Sequence, residues 1–309
     1  RVHYQDFMIF FTFLLFWISI QFGQIIEDSI AYIIVLSIGI VHGSNDFTIL
    51  KKQQNSKIDF LKSTGFYLSL IILCVVTYIM VPFFSILFFI FLSSYHFGEQ
   101  HLENKFNGTV IFKSLLYISY GLLIFSLIFI ENIKDVELIM LNLTGEIIPE
   151  TWIFRMLIFS SILLLSLYFF QFLKGIKNKL NVFKELFYIL LLYLVFKTSS
   201  LILGFAIYFV LWHSLPSIIE QTKFLSGAYS FKTIYEYLKT ALIYWMISIV
   251  GLVCAYYFLS ESLFNSVIFI VLFAFFKSTL IIFCLYFLLF IFLFINKSFF
   301  FTNAMDLFD

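Results

Sequence analysis

Four of the five histidines in this 309-residue chain lie inside or at the ends of strongly apolar segments: His42 in IVHGSNDF, His96 and His101 in SSYHFGEQH, and His213 in YFVLWHSLPS. An ionisable side chain inside a membrane helix costs free energy unless it lines a pathway, binds a metal or finds a partner. Neutral imidazole is a common protein ligand for iron, zinc and copper, and histidines on different helices of a bundle can surround a metal while leaving positions open. His42, His96 and His213 form such a candidate set. For each, the alternative is a buried histidine donating to a neighbouring carbonyl. His101 is a secondary candidate. On an unbroken helix, five residues of separation turn it well away from His96, whereas a break at Gly98 would bring both rings to one centre.

Other polar residues stand close to these histidines in sequence. Asp46 falls one helical turn after His42 and could orient a ligand through a hydrogen bond, or simply end the helix near a basic loop. Glu99 could be a ligand, a partner to one, or an interfacial charge. Gly43 would admit a close neighbouring helix. Ser44 and Asn45 could satisfy backbone groups, and Glu220 and Gln221 could be polar partners at the membrane boundary. Pro216 removes an amide donor beside His213 and predicts a kink there. His3 sits among charged residues before the first apolar run and is read as solvated.

The elements that must position these groups are membrane helices. The chain is 62% hydrophobic and 12% charged, with mean hydropathy +1.03, whereas soluble domains are nearer one half apolar. Apolar runs long enough for a hydrocarbon core of roughly 30 Å predict an all-α polytopic transmembrane bundle of about eight to ten helices, as one domain over residues 1–309. The expected spans are 7–22, 29–49, 64–81, 83–98, 110–130, 152–173, 185–198, 200–217 and 237–259, followed by a run over 264–295 whose helix number is open. Cys74, Cys254 and Cys284 are single and embedded in apolar sequence, which argues against a disulfide framework or thiolate metal site. The net charge of +1 offers no basic face for nucleic acid. No GxSxG, P-loop or HExxH motif is present.

Lysines set the orientation. Lys51, Lys52, Lys57 and Lys62 fill one connection and Lys174, Lys177, Lys179 and Lys184 another, while 131–150 carries Lys134 among five acidic residues. The basic connections are placed in the cytoplasm and the acidic one outside, which puts the N-terminus inside and all three histidine motifs toward the cytoplasmic ends of their helices. A shared site is expected at that depth. A proton or metal-ion transporter, or a non-catalytic membrane scaffold, is the alternative function class. Polar groups clustered toward one face argue against a continuous transport path.

HGSND (42–46), YHFGEQH (95–101) and WHSLPS (212–217), in this order on hydrophobic helices, resemble the Brp/Blh family of bacterial and archaeal membrane β-carotene 15,15′-dioxygenases. The resemblance spans most of the chain. It implies an all-helical integral enzyme of the cell (inner) membrane that uses non-haem Fe(2+), held by histidines, to split β-carotene with O2 into two retinal molecules, with a possible functional link to a retinal-binding protein. His42, His96 and His213 match the family's iron histidines. The family pattern has a further histidine four residues after the position of His213, where this chain has Ser217. Either His101 fills that place, or three histidines and water hold the iron, or activity is impaired. From about Lys277 onward the chain also lacks the polar, histidine-containing pattern of the family's C-terminus.

Overall fold

The computed structural model describes residues 4–53, 56–174 and 181–258. His3, Lys177, Lys179, Cys284 and the 264–295 run lie outside the described residues, as do the side chains of Asp46, Cys74 and Cys254. Every regular element among the described residues is helical. In chain order these are α1 (Tyr4–Gln21), α2 (Gln24–Gln53), α3 (Lys57–Met80), α4 (Pro82–Leu102), α5 (Val110–Glu131), α6 (Ile133–Thr144), α7 (Glu150–Leu173), α8 (Val182–Thr198), α9 (Leu201–Ser226) and α10 (Phe231–Phe258). Five of them, α1, α2, α5, α7 and α9, are long and apolar enough to cross a membrane. Large apolar side chains stand exposed along such helices, among them Ile25, Phe159, Phe169 and Phe172, a pattern a water-soluble fold would bury.

Local chemistry explains where the helices begin and end. The side chains of Ser56, Thr109, Asn181 and Ser200 each accept an amide proton from the residue three positions on, satisfying donors that a first helical turn leaves orphaned. Pro82 opens α4, where its missing N–H costs nothing. Gly145 and Gly227, at φ 75° and 74°, close α6 and α9 in the left-handed conformation that a side chain disfavours. Helix α6 departs from the sequence expectation of a plain connection over 131–150. Its buried Val136 and Met140, one turn apart, give it an apolar edge against the bundle.

Two helices cross with their backbones in contact. A Cβ built on Gly98 of α4 would lie 2.0 Å from the Tyr117 carbonyl oxygen of α5, and one on Gly121 of α5 would lie 1.9 Å from the Ser94 carbonyl oxygen. Small residues at such crossings let membrane helices pack by close contact where no hydrophobic effect drives them together. Gly98 therefore does not break α4, which runs on to Leu102. Gly43, expected to admit a neighbour, instead has open space beside it.

Helices α2 and α9 each contain a π-helical turn, at Val35–Gly39 and Tyr208–Ser214. In α9 the turn ends two residues before Pro216. The Leu215 N–H bonds back to Val210 O and the Ser214 hydroxyl to Phe209 O at 2.9 Å, both five residues back. The proline cannot supply a standard amide bond, and the helix accommodates it by widening. The two turns face each other, with the Phe209 ring 3.0 Å from where a Cβ on Gly39 would stand.

Candidate metal centre

Three helices deliver one histidine each. His42 follows the π-turn of α2, His96 lies two residues before the glycine crossing of α4, and His213 sits within the π-turn of α9. Their ligand atoms all lie within 4.8 Å of one another. The ring centroids of His42 and His213 are 5.1 Å apart and those of His96 and His213 4.5 Å, both pairs edge to face. The rings are buried, His42 completely. Aromatic walls close the site: Phe97 stands 4.8 Å from the His213 ring and Phe209 stacks on it at 5.7 Å.

Both ring nitrogens of His42, both of His96 and Nδ1 of His213 are buried without a hydrogen-bond partner. Leaving a buried polar group unpaired costs about 1–3 kcal/mol. The alternative reading of each histidine, donation to a nearby carbonyl, therefore has no support in the geometry. A metal ion among the three rings would accept one lone pair from each, so the residues present fit such a group. An all-nitrogen donor set suits iron, zinc or copper.

His101 does not join them. Because α4 continues through Gly98, the five residues from His96 turn the ring to another face of the helix. There its Nε2 lies 2.6 Å from Glu185 Oε2 of α8, and its ring stacks on Tyr120 of α5 at 4.6 Å. Lys105 Nζ donates to Glu185 Oε1 at 2.6 Å and lies 3.0 Å from the same His101 nitrogen. Burial lowers the Lys105 pKa from its ordinary value, and Glu185 opposes that shift. His101 thus belongs to a separate ionic cluster that ties α4 to α8, and of the alternatives for the fourth position the one that puts its ring at the centre does not match the geometry.

The other candidates have partners of their own. Glu99 accepts from the Tyr95 hydroxyl at 3.3 Å. Glu220 accepts from Gln100 Nε2 at 3.2 Å. Asn45 is fully buried and clamps α10: its Nδ2 donates to Tyr237 O at 3.0 Å, and its Oδ1 accepts from Thr240 at 2.9 Å. The Tyr237 hydroxyl donates to Gln221 Oε1 at 2.5 Å and lies 3.4 Å from the His42 carbonyl. Gln221 Nε2 in turn donates to Ser217 Oγ at 3.3 Å. Lys52 caps the far end of α9, bonding Phe224 O and Leu225 O at 2.6 and 2.7 Å. Helices α2, α9 and α10 are thereby locked together around the histidines. Tyr237 had no sequence signal, since a lone tyrosine in a Phe- and Tyr-rich chain does not stand out. Phe97 had one, as the immediate neighbour of His96.

No curated protein and no solved structure matches the chain. The sequence profile of the beta-carotene 15,15'-dioxygenase family matches residues 33–295, a span that contains all three histidines, the whole of α4 and α9 and most of α2. With that match over most of its length, the chain belongs to the beta-carotene 15,15'-dioxygenase family.

Proposed function

We propose that the chain is a membrane enzyme that cleaves β-carotene at its central 15,15′ double bond with O2, giving two retinal molecules, and that His42, His96 and His213 hold the ferrous ion this requires. The observation that carries the reading is the meeting of three buried, unpaired histidine rings within 4.8 Å in a member of this family. Bound iron would supply the redox centre for the reaction with dioxygen. The protein's own residues supply the rest. Three rings on rigid helices preorganise the donor set, and Phe97 and Phe209 keep the surroundings apolar.

An apolar polyene dissolves in the bilayer, and it would reach the centre laterally between helices. Water has little place in such a site, which protects an oxidising reaction from side chemistry. Two aldehydes account for both oxygen atoms of O2 and for both ends of the broken double bond. The enzyme would sit in the cell membrane, the lysine distribution supports a cytoplasmic N-terminus, and its product would pass to a retinal-binding protein.

The test is a host that accumulates β-carotene and expresses this chain with and without iron chelation. Iron-dependent loss of carotene with retinal appearing by chromatography is the expected result. Unchanged carotene beside well-inserted protein would refute the reading.

A further inference from the structure

Nearly every buried serine among the described residues returns its hydroxyl proton to a carbonyl three to five residues earlier in its own helix. Ser19, Ser85, Ser119 and Ser160 do so, as do those at positions 44, 94, 126, 199 and 214. This habit is general for hydroxyls in membrane helices, where no water is at hand to take the proton. Ser93 and Ser217 depart from it. The Ser93 hydroxyl is 1% exposed and has no partner at all. The Ser217 oxygen accepts from Gln221, a contact that occupies one of its two lone pairs and leaves its own proton without an acceptor.

The two exceptions share a location. Ser93 precedes His96 by three residues on α4, and Ser217 follows His213 by four on α9, spacings that put each serine on the same helix face as its histidine. Helical side chains lean toward the N-terminus, so Ser217 is inclined back over the turn that carries His213. Its orientation is fixed in two steps, by Gln221 and by the Tyr237 hydroxyl that holds Gln221 at 2.5 Å. Phe97 and Phe209, whose rings stand against His213, offer no donor to a ligand.

We propose that Ser93 and Ser217 are the hydrogen-bond donors for a small ligand at the three-histidine centre, a molecule with accepting oxygen or nitrogen atoms and the size of water, dioxygen or azide. Gln221 and Tyr237 act as positioning residues for Ser217. This rests on the reading of the histidines as a metal centre. It adds to that reading the residues that select and orient what the metal meets. An unpaired buried hydroxyl is costly by itself, and a ligand that accepts its proton recovers that cost on binding.

The test uses the full chain in nanodiscs, loaded with cobalt(II) without oxygen and titrated with azide, and it follows the visible absorption of the cobalt. The wild type should take up one cobalt per chain and respond saturably to azide. Ser217→Ala and Ser93→Ala should keep the cobalt but weaken azide binding about tenfold or more each, the effect of losing a hydrogen bond to an anion. Ser217→Thr, which retains the hydroxyl, should bind azide like the wild type. Tyr237→Phe should weaken it by a smaller factor. Ser94→Ala, which alters a neighbouring buried serine that bonds its own backbone, should change nothing. Unchanged azide affinity in both serine-to-alanine variants would overturn the proposal while leaving the metal reading intact, and so would loss of cobalt from them. Failure of the wild type to bind cobalt, or equal uptake by His96→Ala, would instead overturn the metal reading and this proposal with it.

Discussion

Gly98→Ala should disable the centre without touching a histidine. A Cβ at that position would sit 2.0 Å from the Tyr117 carbonyl oxygen, 2.5 Å from its carbon and 2.6 Å from its Cα, all of them backbone atoms. Real Cβ contacts essentially never fall under 3.0 Å, so α4 and α5 must part by about 1 Å, a strain of the order of 1–3 kcal/mol or more. The reciprocal contact of Gly121 with Ser94 leaves no slack four residues away. His96 lies two residues from the insertion, and its ring is 4.5 Å from that of His213. Metal–nitrogen bonds of about 2 Å tolerate displacements of roughly 0.5 Å. A shift of about 1 Å should therefore cost at least 10- to 100-fold in metal affinity, comparable to losing a supporting partner of a ligand. The assay is iron content per chain by mass spectrometry, after extraction from membranes in which insertion has been verified, together with retinal formation. Wild-type iron content and turnover in Gly98→Ala would show that the crossing does not position His96, and the reasoning would fail.

Three further outcomes follow from the same geometry. His42→Ala, His96→Ala and His213→Ala should each lose most of the bound iron and all retinal production while still inserting, and retained turnover in any of them would make that residue structural. His101→Ala should keep its iron, because that ring pairs with Glu185 and not with the centre; it should lower stability by about 1–3 kcal/mol, read as the thermal unfolding midpoint in detergent. Asn45→Ala removes two buried hydrogen bonds to α10 and should cost about 1–2 kcal/mol in the same unfolding assay.

How much of this was legible in the sequence depended on which forces were at work. Apolar runs announced the helices, because burying a backbone in lipid leaves few other solutions. Lysine placement alone put three distant histidine motifs at one depth, and the rings of His42, His96 and His213 do lie together. The fate of His101 turned on whether Gly98 breaks or continues α4, and glycine permits both. The decision came from α5, whose backbone occupies the space a side chain would have filled. Pro216 signalled a disturbance beside His213, but not that the helix would widen into a π-turn there, or that Phe209 in that turn would meet Gly39 of α2. The amphipathic α6 was hidden by the acidic residues around it. The clamp of Asn45 on Tyr237 and Thr240 joins residues more than 190 positions apart, and no local pattern could reveal it.

The central claim is that one iron ion sits among His42, His96 and His213. Anomalous diffraction recorded on either side of the iron absorption edge, from crystals of the protein purified with ferrous iron under nitrogen, tests it most directly. The expected result is a single strong peak about 2.0–2.2 Å from one nitrogen of each of the three rings, with no peak beside His101. A peak elsewhere, or none in crystals whose iron content is confirmed, would contradict the account.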